Sequence, residues 1–223
     1  MKTSNGMNKN NYNQKTSWLG IMIVVIVVLG LGYFLVKTSP NGANTNKTTA
    51  MDSMHGGSPG APNTAQLNSL LGKPLPDIQL ADIDGKKYTS ADFRRKYTVL
   101  FFNEGLMCYP ACWNQIASFG SDDRFNSDQI QAISVVVDSA KDWQKAIEKM
   151  PQLAKATTMF DGGANASQQL GILTTASSMH RGSLPGHTYV VVDKDGIVRY
   201  VFDDPNMANA NDSLYRKIQE LVK

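Results

Sequence analysis

Two cysteines stand in this 223-residue chain, both inside the window Met107-Cys108-Tyr109-Pro110-Ala111-Cys112-Trp113. A Cys-x3-Cys pair is close enough to close a disulfide or to hold a soft metal ion. The thiolate is the form of cysteine that attacks disulfides and binds metals, and its surroundings decide how much of it exists. Before the pair, Tyr97 to Glu104 (YTVLFFNE) is β-branched and aromatic, as a buried strand requires. After it, Trp113 to Phe119 reads as a helix. The thiols therefore fall at a strand-to-helix junction, where the first N–H groups of a helix lack partners and favour an anion. Pro110, with its fixed φ and missing N–H, suits the first helical position and pushes Tyr109 into a cap conformation. That places Cys112 at the third helical position and leaves Cys108 just outside the helix and more exposed. The competing reading of such a pair is structural, a permanent disulfide or two buried thiols.

Other groups lie within reach of this chemistry. Glu104 precedes Cys108 by four residues and can take or deliver a proton during thiol exchange, or else is a strand-end carboxylate facing water. Trp113 follows Cys112 and either walls the thiol from solvent or simply packs. His180 sits in a Gly/Ser-rich stretch and reads as a solvated loop residue. Asp193 to Gly196 is turn chemistry without the spacing of a calcium loop. There is no phosphate-binding glycine loop and no Gly-x-Ser-x-Gly elbow.

These residues are carried by one domain, residues 66–223. Asp77 to Leu80 and Lys87 to Thr89 flank Asp84-Gly85 as a hairpin. The strand through Phe102 and the helix after Pro110 follow. Ile130 to Asp138 reads as a buried strand, Lys141 to Met150 as an amphipathic helix, Thr157 to Phe160 as a short strand and Ala166 to Ile172 as a helix. His187 to Val192 and Ile197 to Phe202 form a second hairpin. Leu214 to Val222 is a last helix with Leu214, Ile218 and Leu221 on one stripe. Alternating strands and helices predict an α/β sheet covered on both faces.

Three stretches precede the domain. Residues 1–17 form a short polar tail with Lys2, Lys9 and Lys15 and no acid. Residues 18–36 (WLGIMIVVIVVLGLGYFLV) carry no charge, and at about 1.5 Å per residue they match a hydrocarbon core of about 30 Å. The run exceeds a secretory h-region and lacks an A-x-A-like site, so the expectation is an uncleaved transmembrane signal anchor, with Trp18 and Tyr33 in interfacial belts. The lysine bias places the N-terminus in the cytoplasm and the domain outside, a compartment where disulfides persist. Residues 37–65, rich in Ser, Thr, Asn, Gly and Pro, read as a flexible linker. The formal charge of +3 belongs to this leader, since five lysines and one acid lie within residues 1–65. The domain itself is close to neutral and presents no basic helix face, which argues against nucleic acid as a partner.

The order of elements, with cysteines after the first central strand, resembles the thioredoxin fold. Residues 66–223 are similar to the peroxiredoxins of the alkyl hydroperoxide reductase/thiol-specific antioxidant type, to TlpA-like thiol–disulfide oxidoreductases and to Sco-type proteins. The stretches that carry the likeness are LGKPLPDIQL (71–80), VLFFN (99–103), the cysteine loop, AISVVVD (132–138) and HTYVVVDKDGIV (187–198). EGLMC followed by CWNQI resembles membrane-anchored bacterial redoxins with E-G-x-x-C-x-P-C-W, with Ala111 one residue extra.

The resemblance implies a redox-active disulfide and a thioredoxin-like, peroxiredoxin-type sheet. Peroxiredoxins carry a proline, a threonine three residues before the peroxidatic cysteine and an arginine on a later strand. Counted from the strand end, Cys112 lies near the peroxidatic place, the residue three before it is Tyr109, and Glu104 and His187 stand near the places of the proline and the arginine. TlpA-like proteins carry a cis-proline, and the nearest candidate, Pro185, falls two positions early. His187 opens the penultimate strand on the edge of the sheet that faces the cysteine loop. There it can stabilise a thiolate, join Cys108 and Cys112 in a copper site as in Sco-type proteins, or serve as a packed strand residue.

The resulting expectation is an oxidoreductase without a cofactor, its site formed by Cys108, Cys112, Glu104 and His187. Its main reading is thiol–disulfide exchange in which Cys108 attacks and Cys112 resolves. The alternatives are a thiol peroxidase acting on hydroperoxides and a copper carrier. The substrate is a disulfide-bearing protein or a hydroperoxide, with an unnamed thiol donor. Peroxide turnover is expected to be weak beside disulfide exchange and to rise as His187 gains a proton below about pH 6.5.

Overall fold

A computed structural model describes residues 61–222. The tail, the anchor and most of the linker expected for residues 1–60 lie outside the described residues. Among the described residues no helix is long and apolar enough to cross a membrane.

Seven strands form one mixed sheet in the order β2-β1-β5-β4-β3-β6-β7. The hairpin β1 (Gln79–Ala81) and β2 (Lys87–Thr89) is antiparallel and turns at Gly85, whose φ of 82° is one that glycine adopts freely. The centre is β3 (Tyr97–Phe102), parallel to β4 (Ile130–Val136), which is parallel to β5 (Thr158–Phe160). On its other side β3 pairs antiparallel with β6 (Thr188–Val192), which turns back into β7 (Val198–Asp203). β6 is therefore an interior strand and β7 forms the edge. The helices are α1 (Ala65–Asn68), α2 (Ala111–Ser121), α3 (Ala140–Lys149), α4 (Asn165–Gln169) and α5 (Asn211–Val222). The predicted α/β sheet covered on both faces is the architecture observed. The helix expected over 166–172 is one short turn of α4, after which Gly171 breaks the run with φ 74°.

Period-two alternation along the central strands sorts the core into two layers. Val99 and Phe101 of β3, with Tyr189 and Val191 of β6, pack beneath α2, α3 and α5 against Ile116, Phe119, Trp143 and Ile218. Leu100, Phe102, Val190 and Val192 face the other way, onto Leu67, Leu70, Leu170 and Ile172. His187 precedes β6 by one residue and shares the parity of Tyr189, so both side chains point toward α2. This alternation brings a residue far along the chain to the cysteines.

Candidate active site

The chain between β3 and α2 makes a tight 3-10 turn at Gly105–Met107. Gly105 has φ 56°, and a Cβ there would overlap the Asp138 carboxylate. Asp138 Oδ2 accepts the Leu106 amide at 3.1 Å, and the Gly105 carbonyl accepts the Trp113 indole N–H at 3.1 Å. Burial pushes the Asp138 carboxyl above its usual range. α2 begins at Ala111, with Pro110 as the flanking cap, so Cys112 is its second residue and not its third. Among the described residues the cis peptide precedes Pro110, not Pro185.

Cys108 and Cys112 form a disulfide with Cα atoms 5.3 Å apart. Both are buried, Cys108 at 3% exposure and Cys112 at 0%, so the expected contrast in exposure narrows to a small difference in favour of Cys108. The Cys112 amide, expected to be free for an anion, instead donates to the Cys108 carbonyl at 3.0 Å. Cys108 Sγ packs 3.9 Å from Met207 Sδ. The residues on either side of Cys108, Met107 and Tyr109, are exposed.

His187 is fully buried, with Nδ1 3.4 Å from Cys112 Sγ and Nε2 2.8 Å from the Tyr189 hydroxyl. Burial lowers its pKa to about 4, against the opposing charges of Asp204 and Asp203. The imidazole is thus neutral where the sequence left room for a cation, and an activity rise below pH 6.5 from its protonation is not expected. Burial holds the Tyr189 hydroxyl firmly protonated.

Glu104 lies elsewhere in this arrangement. It is 1% exposed, and the partners of its carboxylate are in the 178–180 loop. Oε1 accepts the Met179 amide at 2.6 Å and the His180 amide at 3.0 Å, and Oε2 lies 2.9 Å from His180 Nδ1. Asp203 holds the same loop from the other side, accepting the Ala176 amide at 2.9 Å. The two carboxylates pin the 176–180 segment beside His187. The reading of Glu104 as a water-facing carboxylate is therefore corrected, and His180 is partnered rather than free in solvent.

Cys108, Cys112 and His187 are thus brought together, their ligand-type atoms all within 4.8 Å of one another. Copper would need both sulfurs as thiolates, and the disulfide leaves neither in that form.

Two further residues belong to the site and were not singled out in the sequence. Gln115 is one helical turn beyond Cys112, and its Oε1 accepts the Tyr189 hydroxyl at 3.1 Å. The spacings that signal them are 187/189 on a strand and 112/115 on a helix.

The AhpC/TSA family profile matches residues 71–201, and the chain belongs to that family. Peroxiredoxin Q from the chloroplast of Triticum aestivum is 29% identical over 139 residues, covering 60% of this chain. The match spans 58% of that relative's length, so only part of it is represented. Peroxiredoxin Bcp of Escherichia coli is 24% identical over 157 residues, which cover 67% of this chain and 95% of the relative. Among solved structures, Mycobacterium tuberculosis AhpC superposes with a TM-score of 0.56 at 18% identity, covering 69% of this chain and 93% of that one, a likeness of fold.

Proposed function

We propose that this chain is a two-cysteine thiol peroxidase, whose paired sulfurs are the product of hydroperoxide reduction. The observation that carries the reading is the disulfide closed within one chain, with one sulfur 3.4 Å from a neutral imidazole nitrogen. Membership of the AhpC/TSA family and the peroxiredoxin relatives support a hydroperoxide as the oxidant. The chemistry needs no cofactor, because both electrons come from the thiols.

In the reduced protein Cys108, the less enclosed sulfur, attacks the terminal peroxide oxygen as a thiolate. The O–O bond breaks, and the terminal oxygen stays on Cys108 with its hydrogen as a sulfenic acid. The alkoxide leaves as the alcohol by taking up from solvent the proton that Cys108 released on ionising. Cys112 passes its proton to His187 Nδ1 and attacks Cys108 Sγ. The S–S bond forms as the S–O bond breaks, and the departing hydroxide takes the proton from His187 as water. A donor thiol then attacks the disulfide at Cys108 and releases Cys112. A second donor thiol resolves the mixed disulfide, so that both cysteines return as thiols and the donor leaves as a disulfide.

Protein disulfide exchange is the second reading, favoured by exposed Met107 and Tyr109 beside Cys108 and by missing donors. The residue three before Cys108 is Gly105, the one three before Cys112 is Tyr109, and His187 stands where the arginine is expected. Loss of one such donor costs on the order of 10²–10³ in rate, so peroxide turnover is expected to be modest. Stopped-flow mixing of the reduced protein with hydrogen peroxide, beside a small disulfide, separates the readings. Peroxide consumption that ends in the disulfide supports the peroxidase. A dithiol that exchanges with the disulfide but ignores peroxide would overturn it.

The charge-free run at 18–36 we take as a single membrane span, with a cytoplasmic tail and the domain outside on the 37–65 tether. Its length and the lysines before it support this. Protease added to spheroplasts should release a fragment beginning within 37–65, whereas protection of the domain would reverse the orientation.

A further inference from the structure

His187 is useful to Cys112 only if the nitrogen that faces the sulfur is the one without a proton. The groups behind the ring settle which nitrogen that is. Gln115 Oε1 accepts the Ala210 backbone amide at 2.7 Å, and Gln115 Nε2 donates to Asn211 Oδ1 at 2.7 Å. Asn211 Nδ2 in turn donates to Asp122 Oδ2 at 2.8 Å and to the Ser118 carbonyl at 3.3 Å. A backbone N–H donates only and a carboxylate accepts only, so both amide orientations are fixed from their far ends. The Arg124 guanidinium makes two hydrogen bonds to Asp122, at 2.8 and 2.7 Å, and holds its carboxyl down at about 2, so the chain of donors ends on a firm acceptor.

Gln115 therefore presents an oxygen to Tyr189, and the hydroxyl must donate to it, since two oxygens 3.1 Å apart without a proton between them repel. A tyrosine has one proton to give. Its oxygen is left to accept from His187 Nε2 at 2.8 Å, which makes Nε2 the protonated nitrogen. Were Nδ1 protonated instead, the single hydroxyl hydrogen could go to Nε2, leaving two oxygens face to face at 3.1 Å with no proton between them, or to Gln115 Oε1, leaving a bare buried Nε2 without a donor.

We propose that Gln115, acting through Tyr189, is the positioning residue that locks His187 in its Nε2–H tautomer and aims a bare Nδ1 at Cys112. The inference rests on the peroxidase reading for its role in turnover and on the hydrogen-bond geometry for the tautomer. In turnover the lock makes His187 an acceptor for the Cys112 proton as Cys112 attacks Cys108, and the same nitrogen returns that proton to the departing hydroxide. Neither Gln115 nor Tyr189 touches a sulfur. Each acts by excluding the tautomer in which Nδ1–H would face the thiol and leave its proton without an acceptor.

The test reads the tautomer directly. In the full-length protein labelled with nitrogen-15 histidine, long-range proton–nitrogen correlations show which ring nitrogen is protonated, and the His187 signals are those lost in His187→Gln. The wild-type oxidised protein should show the proton on Nε2. Tyr189→Phe should transfer it to Nδ1 and slow closure of the disulfide after peroxide about tenfold, the loss of one oriented hydrogen bond. Gln115→Glu, which keeps an acceptor oxygen toward Tyr189, should retain the wild-type tautomer, while Gln115→Met should lose it.

A proton on Nδ1 in the wild type would overturn the inference without any variant, as would a tautomer unmoved by Tyr189→Phe and Gln115→Met. The outcomes also separate from those of the proposed function. An Nε2–H imidazole in a protein inert to peroxide upholds the lock and removes the peroxidase. An Nδ1–H imidazole in an active protein does the reverse.

Discussion

Cys112 Sγ and His187 Nδ1 face each other at 3.4 Å across 75 positions of sequence. One is held by the first turn of α2 and the other by the chain entering β6. Strand alternation turns His187 and Tyr189 to the face that α2 covers, and burial there keeps the ring uncharged.

That uncharged ring predicts a stability profile. In the unfolded chain His187 protonates near pH 6.5, but in the fold only near 4, so the unfolded state binds more protons between those values. The contribution is complete above about pH 6.5 and is lost as pH falls toward 4, by up to about 3 kcal/mol. Urea unfolding of the oxidised protein should show this loss, and His187→Gln should show a smaller one. An unchanged pH dependence in the variant would place the titrating group elsewhere.

Glu104→Ala should destabilise by about 2–4 kcal/mol, because the Met179 and His180 amides and the His180 ring lose one acceptor group. Hydrogen exchange should quicken at residues 178–182, while disulfide closure in the surviving folded protein changes little. A collapse of the closure rate with stability intact would instead make Glu104 a proton carrier.

Gly105→Ala should cost about 1–3 kcal/mol, since φ 56° disfavours a Cβ and the added methyl meets Asp138. The readout is the unfolding midpoint, and a neutral result would mean that the loop shifts without cost.

The strands and helices were legible in the sequence because each central element is long and strongly patterned. β3, β4 and the β6–β7 hairpin fall where their β-branched runs predict. The cysteine pair was equally plain; its spacing left a disulfide and a soft-metal site both open, and the structure has the disulfide. What could not be read was direction. Glu104 is four residues from Cys108, yet its carboxylate meets a loop 75 positions away, because the turn at Gly105 separates the two side chains. Gln115 looked like any helical glutamine. Its role exists only because α5 places Ala210 and Asn211 around its amide, a contact that local pattern does not encode.

The central claim is a peroxide-driven dithiol cycle within one chain. The fully reduced full-length protein is given one equivalent of hydrogen peroxide, quenched with an alkylating reagent, and each cysteine is followed by mass spectrometry. The account predicts that Cys108 and Cys112 lose their reactivity together as one intrachain disulfide, and that Cys112→Ser stops at a sulfenic acid on Cys108. Thiols that stay alkylatable after peroxide, or that pair between chains, would contradict it.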